Sequence, residues 1–354
     1  MKKILILGGT GAIGKHVVNI LRSTDYTVYV TSRSVHNSTG NIHYINGNAL
    51  DLNFIRPLLG ESYEAIIDFM AYKTPQFKEI LPLLLSSTEQ YIFLSSARCY
   101  SNQDKIITET TNRLIDTVKE DIEYLSTNEY ALEKGRQENL LFNNNKKNWT
   151  IIRPYITYSE NRLQLGVYEK EEWLYRALKG RTIVFSEDIA SKLTTLTYGK
   201  DVAASIVKLI GNPIALGEAF HITSNEPILW RDILRIYIEG LEHFTNKKIN
   251  VFMQNKSTNL QIPNRKWQVI YDRKFDRCFN NQKVRKIIGD TPFASTSEEL
   301  TNCLYKFLAS PKFARINWEK QALFDSITKE RASFSEIPTL KEKIKYIIYR
   351  YIIY

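Results

Sequence analysis

Three glycines directly behind a short apolar run constrain the fold of this chain more than any other feature of its sequence. The run is KILIL, residues 3–7, and the segment GGTGAIG follows it with Gly8, Gly11 and Gly14. The next residues, KHVVNILRS, repeat apolar side chains at the spacing of a helix face. The pattern predicts a buried strand, a glycine turn and a helix whose first N–H groups are placed to bind a pyrophosphate.

Apolar runs and helical patterns alternate through the rest of the first half. The predicted strands are residues 26–31, 42–45, 65–70 and 90–96, and the predicted helices are 52–59 and 77–85. This order favours a parallel sheet with helices on both faces, a doubly wound α/β fold of the Rossmann type. In such folds the ligand binds beyond the carboxyl ends of the strands, so the site residues are expected there.

Composition and charge exclude several classes of protein. The 354 residues are 43% hydrophobic, as in a globular protein of one large or two modest domains. The formal net charge of +10 fits a phosphorylated ligand, an anionic lipid or nucleic acid, but no dense basic block or zinc-finger spacing favours nucleic acid. The sequence has no run of 18 apolar residues, and its N-terminal run is too short for a signal peptide, so a cytoplasmic protein is expected.

Cysteine and histidine usage argues against a disulfide framework and a metal site. Cys99, Cys278 and Cys303 are odd in number and form no CxxC pair, and the five histidines include no HExxH motif. A reducing compartment and no bound metal are therefore expected. His221, within the apolar run AFHI, is interpreted as a core residue.

A tyrosine and a lysine four residues apart, Tyr130 and Lys134 in YALEK, share one face of a predicted helix. A tyrosine has a reference pKa of about 10 and needs a neighbouring cation to act as a base near neutral pH. The segment YRALK repeats the spacing with Tyr175 and Lys179. The spacing alone therefore does not identify a catalytic pair, and the sequence context has to separate the two.

Besides the glycine turn, six segments in order resemble the extended short-chain dehydrogenases/reductases, the family of nucleotide-sugar epimerases, dehydratases and 4-ketoreductases. They are NGNALD (46–51), IIDFMAY (66–72), FLSSARCY (93–100), YALEK (130–134), IIRPYITY (151–158) and TYGKDVA (197–203). The GxxGxxG spacing is part of the resemblance, whereas Asn48 stands where that family usually has aspartate. The match runs through most of residues 1–310.

The resemblance implies roles for the site residues. Ser96 would hydrogen-bond the substrate oxygen, Tyr130 would exchange its proton while a hydride moves to or from a nicotinamide, and Lys134 would hold the ribose hydroxyls. The implied cofactor-binding residues are Gly8, Thr10, Gly11, Ala12, Ile13, Gly14, Ser32, Arg33, Asn48, Ala49, Met70, Ala71, Ser95, Pro154 and Tyr155, besides Tyr130 and Lys134. The implied substrate-binding residues are Arg98, Tyr158, Arg162 and Arg176.

NAD or NADP is the implied cofactor, and the end of the second predicted strand bears on the choice. An acidic residue there would accept a hydrogen bond from the ribose 2′-hydroxyl of NAD, but the sequence is TSRS. Arg33 and the neighbouring hydroxyls suit a 2′-phosphate instead, which favours NADP.

Ala97 and Arg98 occupy the places where the family's 4,6-dehydratases carry Asp and Glu, so dehydration is disfavoured. The resemblance then implies epimerisation of a nucleotide-activated sugar through a transient ketone, and the basic tail of the chain suits an enzyme of surface polysaccharide precursor synthesis. Reduction of a 4-keto sugar with NADPH is the alternative. A dinucleotide-binding sensor or RNA-associated scaffold without turnover is the non-enzyme alternative.

The expected domains are a Rossmann domain over residues 1–160, with strands near 193–225 returning to it, a mainly substrate-binding domain over 161–320 and a basic amphipathic tail over 321–354. The last segment, LKEKIKYIIYRYIIY (340–354), combines four basic residues with apolar residues at helical spacing. Such a helix can lie on an anionic membrane, and packing on its own domain or on a partner subunit is the alternative. A homodimer is expected.

Overall fold

The computed structural model of the protein describes residues 2–260 and 265–353. Contacts between Cα atoms divide the chain into two compact units. The first comprises Met1–Thr157, Thr195–Glu226 and Cys278–Ala294, and the second comprises Tyr158–Thr194, Pro227–Arg277 and Ser295–Tyr354. Met1 of the predicted Rossmann domain, residues 261–264 of the predicted substrate domain and Tyr354 of the tail lie outside the described residues. The predicted domain ranges and the substrate-binding role of the second domain stay predictions.

Strands and helices alternate along the first half of the chain, and short helices dominate the second half. The strands are β1 (Lys3–Leu7), β2 (Thr27–Ser32), β3 (Ile42–Asn46), β4 (Tyr63–Asp68), β5 (Thr88–Leu94), β6 (Trp149–Pro154), β7 (Thr157–Tyr158), β8 (Ile183–Ser186), β9 (Leu193–Thr194), β10 (Thr197–Tyr198), β11 (Glu218–Ile222), β12 (Ile228–Leu229) and β13 (Val251–Gln254). The α-helices are α1 (Gly14–Leu21), α2 (Leu52–Leu58), α3 (Thr74–Ser86), α4 (Leu114–Thr117), α5 (Ile122–Leu125), α6 (Tyr130–Phe142), α7 (Leu174–Leu178), α8 (Glu187–Ala190), α9 (Gly199–Leu209), α10 (Trp230–Thr245), α11 (Lys266–Gln268), α12 (Gln282–Ile288), α13 (Thr296–Ala309), α14 (Trp318–Thr328) and α15 (Leu340–Ile348).

Seven strands of the first unit form one parallel sheet with the order β11, β6, β5, β4, β1, β2, β3. The predicted Rossmann-type α/β fold is thereby confirmed. The segment around His221 returns to the sheet as β11, and His221 is fully buried in it, as its interpretation as a core residue requires. The strand order reverses at β1, because β2 and β4 lie on opposite sides of it. At such a switch point the carboxyl ends of the strands open a crevice for a ligand.

Each face of the sheet packs on its own set of helices. Ile4 and Ile6 of β1 belong to the core that includes α1 and α9, whereas Leu5 and Leu7 belong to the core that includes α3. All four side chains are fully buried, and burying one such side chain contributes about 1.5 to 3 kcal/mol. The KILIL run is therefore continuously apolar because both faces of its strand are covered.

β4 and β5 end two residues before their predicted ends. Asp68 Oδ1 accepts a hydrogen bond from the Met70 N–H (2.9 Å), a turn that stops the strand ladder. Ser96 Oγ accepts one from the Arg98 N–H (3.2 Å) and begins a 3₁₀ turn over Ala97–Cys99. The predicted site residues Met70 and Ser96 therefore lie just beyond the strands, where this fold binds its ligands.

The second unit combines two-stranded pairs with helices. β8 pairs with β13 in parallel, and β9 pairs with β12 in antiparallel orientation. Near the end of the described chain, Trp318, Ala322 and Tyr346 form a small core that attaches α15 to α14. No helix within residues 2–260 and 265–353 combines the length and the apolar character needed to cross a membrane.

Candidate active site

The glycine turn after β1 uses its glycines for different purposes. Gly8 has a φ of 72°, and a Cβ there would lie 2.8 Å from the Met70 Sδ. A Cβ at Gly14 would lie 2.8 Å from backbone atoms of Gly9, so the start of α1 packs directly on the turn. A Cβ at Gly11 would have no atom of the described residues within 4 Å. The fold thus requires glycine at positions 8 and 14, whereas the space beside Gly11 can take a ligand.

The N-terminus of α1 has the features of an anion-binding site. No side chain of the described chain caps it, and its first turn contains no acidic residue. Thr10 and Gly11 are exposed on the turn, Ala12 is half-buried and Ile13 is buried. The first N–H groups of the helix and the positive end of its dipole therefore fit a pyrophosphate.

The end of β2 and the loops after β2 and β3 carry four of the predicted cofactor residues. The Ser32 carbonyl accepts a hydrogen bond from the Gly47 N–H (2.9 Å), which joins the two loops. The side chains of Ser32 and Ala49 are buried, whereas Arg33 and Asn48 are exposed. An exposed guanidinium directly after β2 has the geometry to pair with a phosphate.

Ser96, Tyr130 and Lys134 all belong to the first unit, on two elements that pack together. Ser96 begins the 3₁₀ turn after β5, and Tyr130 is the first residue of α6, which packs against that turn. Tyr130 is 41% exposed, whereas Lys134 is only 3% exposed. The Lys134 Nζ lies 5.9 Å from the centroid of the Tyr130 ring and donates to the Met70 carbonyl (3.5 Å). A buried cation therefore lies behind an accessible phenol.

The second tyrosine–lysine pair has the same internal geometry in a different environment. The Lys179 Nζ lies 5.8 Å from the centroid of the Tyr175 ring, but Lys179 is exposed. The Tyr175 hydroxyl donates to Glu336 (3.1 Å), and burial together with this carboxylate raises the pKa of Tyr175 to about 12. The distance between tyrosine and lysine does not separate the two pairs. The two pairs differ in that Lys134 is buried and in that the Tyr175 hydroxyl is bonded to the Glu336 carboxylate.

Asp68 is a buried carboxylate that the sequence did not single out. It accepts hydrogen bonds from the Met70 N–H (2.9 Å) and the Tyr91 hydroxyl (2.8 Å). Burial raises the pKa of Asp68 to about 6, although these hydrogen bonds and the Lys134 charge oppose the rise. Burial lowers the pKa of Lys134 to about 8, opposed by the charges of Asp68 and two glutamates. Near neutral pH both groups are therefore charged and stabilise each other. The sequence feature that could have identified Asp68 is an acidic residue within the apolar run AIIDFM.

Glu138 attaches α6 to the sheet. Its carboxylate accepts hydrogen bonds from the Ser95 hydroxyl (2.6 Å), from two nitrogens of Arg153 (2.8 Å each) and from Arg113 (3.2 Å). Burial raises the pKa of Glu138, but the Arg153 charge and these hydrogen bonds outweigh it, so the pKa is lowered. The spacing of Glu138 four residues after Lys134 is the signal that could have identified it. The Ser95 hydroxyl donates its hydrogen bond to Glu138. The predicted contact of Ser95 with a cofactor stays a prediction.

The remaining predicted cofactor residues lie beyond β4 and at the end of β6. Met70 is half-buried and Ala71 is exposed. Pro154 ends β6, and the buried Tyr155 ring lies 5.2 Å from the Phe279 ring, measured between centroids. The contacts of all these residues with a dinucleotide stay predictions. Within the described ranges, no group of three or more His, Cys, Asp or Glu residues is placed to hold a metal ion.

Arg98 places a second cation beside the phenol. Its guanidinium donates to Glu129 Oε1 (2.5 Å), and its Cζ lies 5.6 Å from the centroid of the Tyr130 ring. Glu129 is the N-cap of α6 and also accepts a hydrogen bond from the Ala131 N–H (2.7 Å). The ion pair therefore holds Arg98 at the start of the helix that carries Tyr130.

The other three predicted substrate-binding residues belong to the second unit. Tyr158 is buried, and Arg162 is half-buried with a nitrogen 3.8 Å from a glutamate oxygen. Arg176 is fully buried and pairs with Asp325 (3.1 Å) and Glu330 (3.1 Å). These carboxylates give Arg176 a structural role that needs no ligand, and its substrate contact stays a prediction. The substrate contacts of Tyr158 and Arg162 stay predictions.

Asp68→Asn is expected to change how stability depends on pH between about pH 4 and pH 6. The pKa of Asp68 in the folded protein, about 6, exceeds its ordinary value of 3.8, so the folded state binds the proton more tightly. The stabilisation from protonated Asp68 is complete below about pH 4 and is lost as the pH rises through 6. Relative to the variant, the wild-type free energy of unfolding should fall by about 3 kcal/mol over this interval.

Urea unfolding of both proteins at several pH values measures this difference. Glu89→Gln changes an exposed acid of β5 and serves as the control, whose stability should follow the wild-type curve. Parallel curves for Asp68→Asn and the wild type through this pH range would contradict the effect of burial on Asp68.

Comparison with known proteins gives one family and one curated relative. The sequence model of the NAD dependent epimerase/dehydratase family matches residues 4–222. The chain is 26% identical over 241 residues to the chloroplast stem-loop binding protein of 41 kDa b from Arabidopsis thaliana. That match covers 64% of this chain and 59% of the relative, so the chain spans less than two thirds of the relative's length.

Solved structures with similar folds include several epimerases. Epimerase Mth375 from Methanothermobacter thermautotrophicus has a TM-score of 0.68 at 16% identity, covering 87% of this chain and 92% of that chain. The Bordetella bronchiseptica enzyme WbmH in complex with NAD+ has a TM-score of 0.67 at 14% identity, with coverage of 88% and 100%. UDP-glucuronic acid 4-epimerase from Bacillus cereus, in complex with UDP-glucuronic acid and NAD, has a TM-score of 0.65 at 15% identity, with coverage of 86% and 99%. At these identities the likeness concerns the fold.

Proposed function

Because the chain belongs to the NAD dependent epimerase/dehydratase family, whose model matches residues 4–222, we propose that it epimerises a nucleotide-activated sugar by hydride transfer at a carbinol carbon. The observation that carries the proposal is the buried Lys134 one turn after the accessible Tyr130, in the unit that also contains the glycine turn. The similar pair at Tyr175 lacks this arrangement.

Each side chain of the candidate site has a separate role in the proposed reaction. When bound, the nicotinamide supplies the hydride acceptor and donor. The Ser96 hydroxyl donates a hydrogen bond to the substrate oxygen, and the Tyr130 phenolate takes the hydroxyl proton as the carbinol loses its hydride. The proton returns to the oxygen when the ketone regains the hydride on its opposite face, which inverts the carbon and leaves no net oxidation.

Lys134 favours the phenolate that this chemistry needs. Its Nζ lies 5.9 Å from the ring centroid of Tyr130. With the phenolate charge placed at the ring centroid, about 6 Å away, and an effective dielectric constant near 20, the attraction is about 3 kcal/mol. Asp68 and the Met70 carbonyl keep the lysine protonated and oriented at neutral pH. Arg98, held beside the same ring, is proposed to contact an anionic group of the substrate.

Several finer parts of the proposal rest on single features. Arg33 directly after β2 favours NADP, whereas the description of the family and the solved structures with bound NAD favour NAD. Three cysteines, odd in number and without a CxxC pair, fit a reducing, cytosolic compartment. The basic amphipathic tail suits an enzyme of surface polysaccharide precursor synthesis, and a homodimeric state is part of the proposal.

Two alternative functions are each favoured by a specific observation. A 4-keto sugar reductase would use the same residues but would consume NADPH, and the exposed Arg33 favours it. Binding of a nucleic-acid stem-loop without turnover is favoured by the name of the Arabidopsis thaliana relative and by the net charge of +10. The arrangement around Lys134 favours an enzyme over this second alternative, because a binding protein has no need of a buried cation behind a phenol.

Incubation with UDP-glucuronic acid and other UDP- and dTDP-sugars, with NAD+ or NADP+, tests the proposal. We expect one sugar to convert to its epimer without net formation of reduced dinucleotide, and dinucleotide titration to show at least about tenfold tighter binding of NADP+. Tighter binding of NAD+ would reverse the cofactor assignment. Net consumption of NADPH with a 4-keto sugar would replace the epimerase by the reductase. Salt-sensitive binding of a stem-loop oligonucleotide, with no sugar converted, would replace both.

A further inference from the structure

The end of the described chain carries the densest group of exposed apolar side chains in the second unit. The exposed residues are Leu340, Ile344, Ile347 and Ile348 of α15 and Tyr351, Ile352 and Ile353 of the π-helical turn that follows. Their exposed fractions run from 38% for Ile348 to 77% for Ile352. We call residues 340–353 the terminal segment. A soluble protein rarely leaves such a continuous apolar patch uncovered unless something binds to it.

The opposite face of the terminal segment is attached to its own unit. Tyr346 is fully buried, and its hydroxyl donates to Asp325 (2.6 Å) and accepts from the Ala332 N–H (2.9 Å). Glu342 accepts hydrogen bonds from Arg315 (2.7 and 3.2 Å). One side of the helix therefore packs on its own unit, which was the alternative to membrane binding. These contacts hold the helix in place.

The helix geometry directs the apolar residues away from the unit. Residues three and four apart share a helix face, so Leu340, Ile344, Ile347 and Ile348 form one stripe. Tyr346 is two residues from both Ile344 and Ile348, which at about 100° per residue places it on the opposite side. The stripe therefore points outward because Tyr346 points inward.

Basic residues border the apolar stripe on both sides. On the helix circumference Lys341 lies about 20° beyond Ile348, and Lys343 lies about 40° beyond Ile347 on the other edge. Lys341 is exposed and Lys343 is half-buried. Lys345, farther round the helix, pairs with Glu319, so it serves the attachment to α14. An apolar stripe with a lysine on each edge is the pattern of a helix that lies in the interface of an anionic bilayer.

We propose that the terminal segment docks the protein on an anionic lipid surface, with its isoleucines in the acyl boundary and Lys341 and Lys343 at the headgroups. Charge complementarity favours lipid over a second copy of the chain, because two copies meeting through this stripe would bring their lysine borders together. Tyr351, with its apolar ring and polar hydroxyl, is suited to the same depth. The proposal is independent of the catalytic assignment, because none of these residues belongs to the candidate active site.

Co-sedimentation of the full chain with vesicles tests the proposal. Vesicles of phosphatidylcholine with phosphatidylserine should bind the protein at least about tenfold more tightly than phosphatidylcholine alone, and high salt should weaken this binding. Ile344→Asp/Ile348→Asp should abolish binding to both. Lys341→Glu/Lys343→Glu should remove the preference for phosphatidylserine. Ile214→Asp, at a 70% exposed apolar residue of the first unit, is the matched control and should bind as the wild type does.

All substituted side chains are exposed or half-buried, so circular dichroism and thermal unfolding should confirm that each variant folds. Failure of the wild type to bind vesicles with phosphatidylserine overturns the proposal. Loss of a dimer in the Ile344→Asp/Ile348→Asp variant, measured by light scattering and without any lipid binding by the wild type, would overturn it in favour of an interface between copies of the chain.

Discussion

Tyr130→Phe should lower turnover by about 10² to 10⁴-fold and leave dinucleotide affinity within about twofold of the wild type. The substitution removes the hydroxyl that exchanges the proton, while Lys134 stays in place beside the ring. Because Tyr130 is 41% exposed, the free energy of unfolding should change by less than about 1 kcal/mol. Turnover of the sugar that the wild type converts and a dinucleotide titration measure the two effects separately.

Tyr175→Phe is a matched control within the same chain. Its tyrosine is followed by a lysine at the same spacing, and the distance from ring centroid to Nζ is 5.8 Å compared with 5.9 Å at Tyr130. This variant should turn over as the wild type does, and losing its hydrogen bond to Glu336 should cost about 1 kcal/mol of stability. Equal rates for Tyr130→Phe and the wild type, or equal losses in both variants, would contradict the assignment of Tyr130.

Gly14→Ala and Gly11→Ala should have opposite effects, although both add one methyl group to the same turn. The methyl of Gly14→Ala would lie 2.8 Å from the Cα, C and O atoms of Gly9, and backbone atoms cannot rotate away as a side chain does. We expect a loss of about 3 kcal/mol or more in the free energy of unfolding, or failure to fold. Urea unfolding measures this loss.

The methyl of Gly11→Ala would meet no described protein atom within 4 Å. Its stability should equal that of the wild type or exceed it by up to about 1 kcal/mol, because alanine restricts the unfolded chain. Dinucleotide affinity should nevertheless fall at least about tenfold, because the methyl occupies the space through which a pyrophosphate approaches the backbone. A Gly11→Ala variant that binds dinucleotide like the wild type would contradict the assignment of this turn to the cofactor.

The sheet could be predicted because its strands are short apolar runs whose neighbours in sequence are helices. The KILIL run and its glycines specify a strand, a turn and a helix locally, and parallel pairing follows from the helices between the strands. The exact strand ends could not be predicted, because a side-chain hydrogen bond from the Met70 N–H to Asp68 ends β4 inside an apolar run.

The partners of the candidate site were harder to predict than its members. Asp68 and Lys134 influence each other only because β4 and α6 come together in the fold, and no local pattern joins them. The same limit applies to Arg176, a predicted substrate-binding residue. Its partners Asp325 and Glu330 come from a distant part of the chain. The residues that lie at strand ends can thus be predicted from the sequence. The charged groups that surround them depend on tertiary contacts and cannot.

Met70 connects the glycine turn to Lys134 through a single residue. Its sulfur fills the space against Gly8, its N–H is held by Asp68 and its carbonyl accepts from Lys134. The turn proposed to bind the pyrophosphate and the lysine proposed to act behind Tyr130 are therefore both supported by this one residue. A change of side chain at position 70 is therefore expected to disturb both the packing against Gly8 and the position of Lys134.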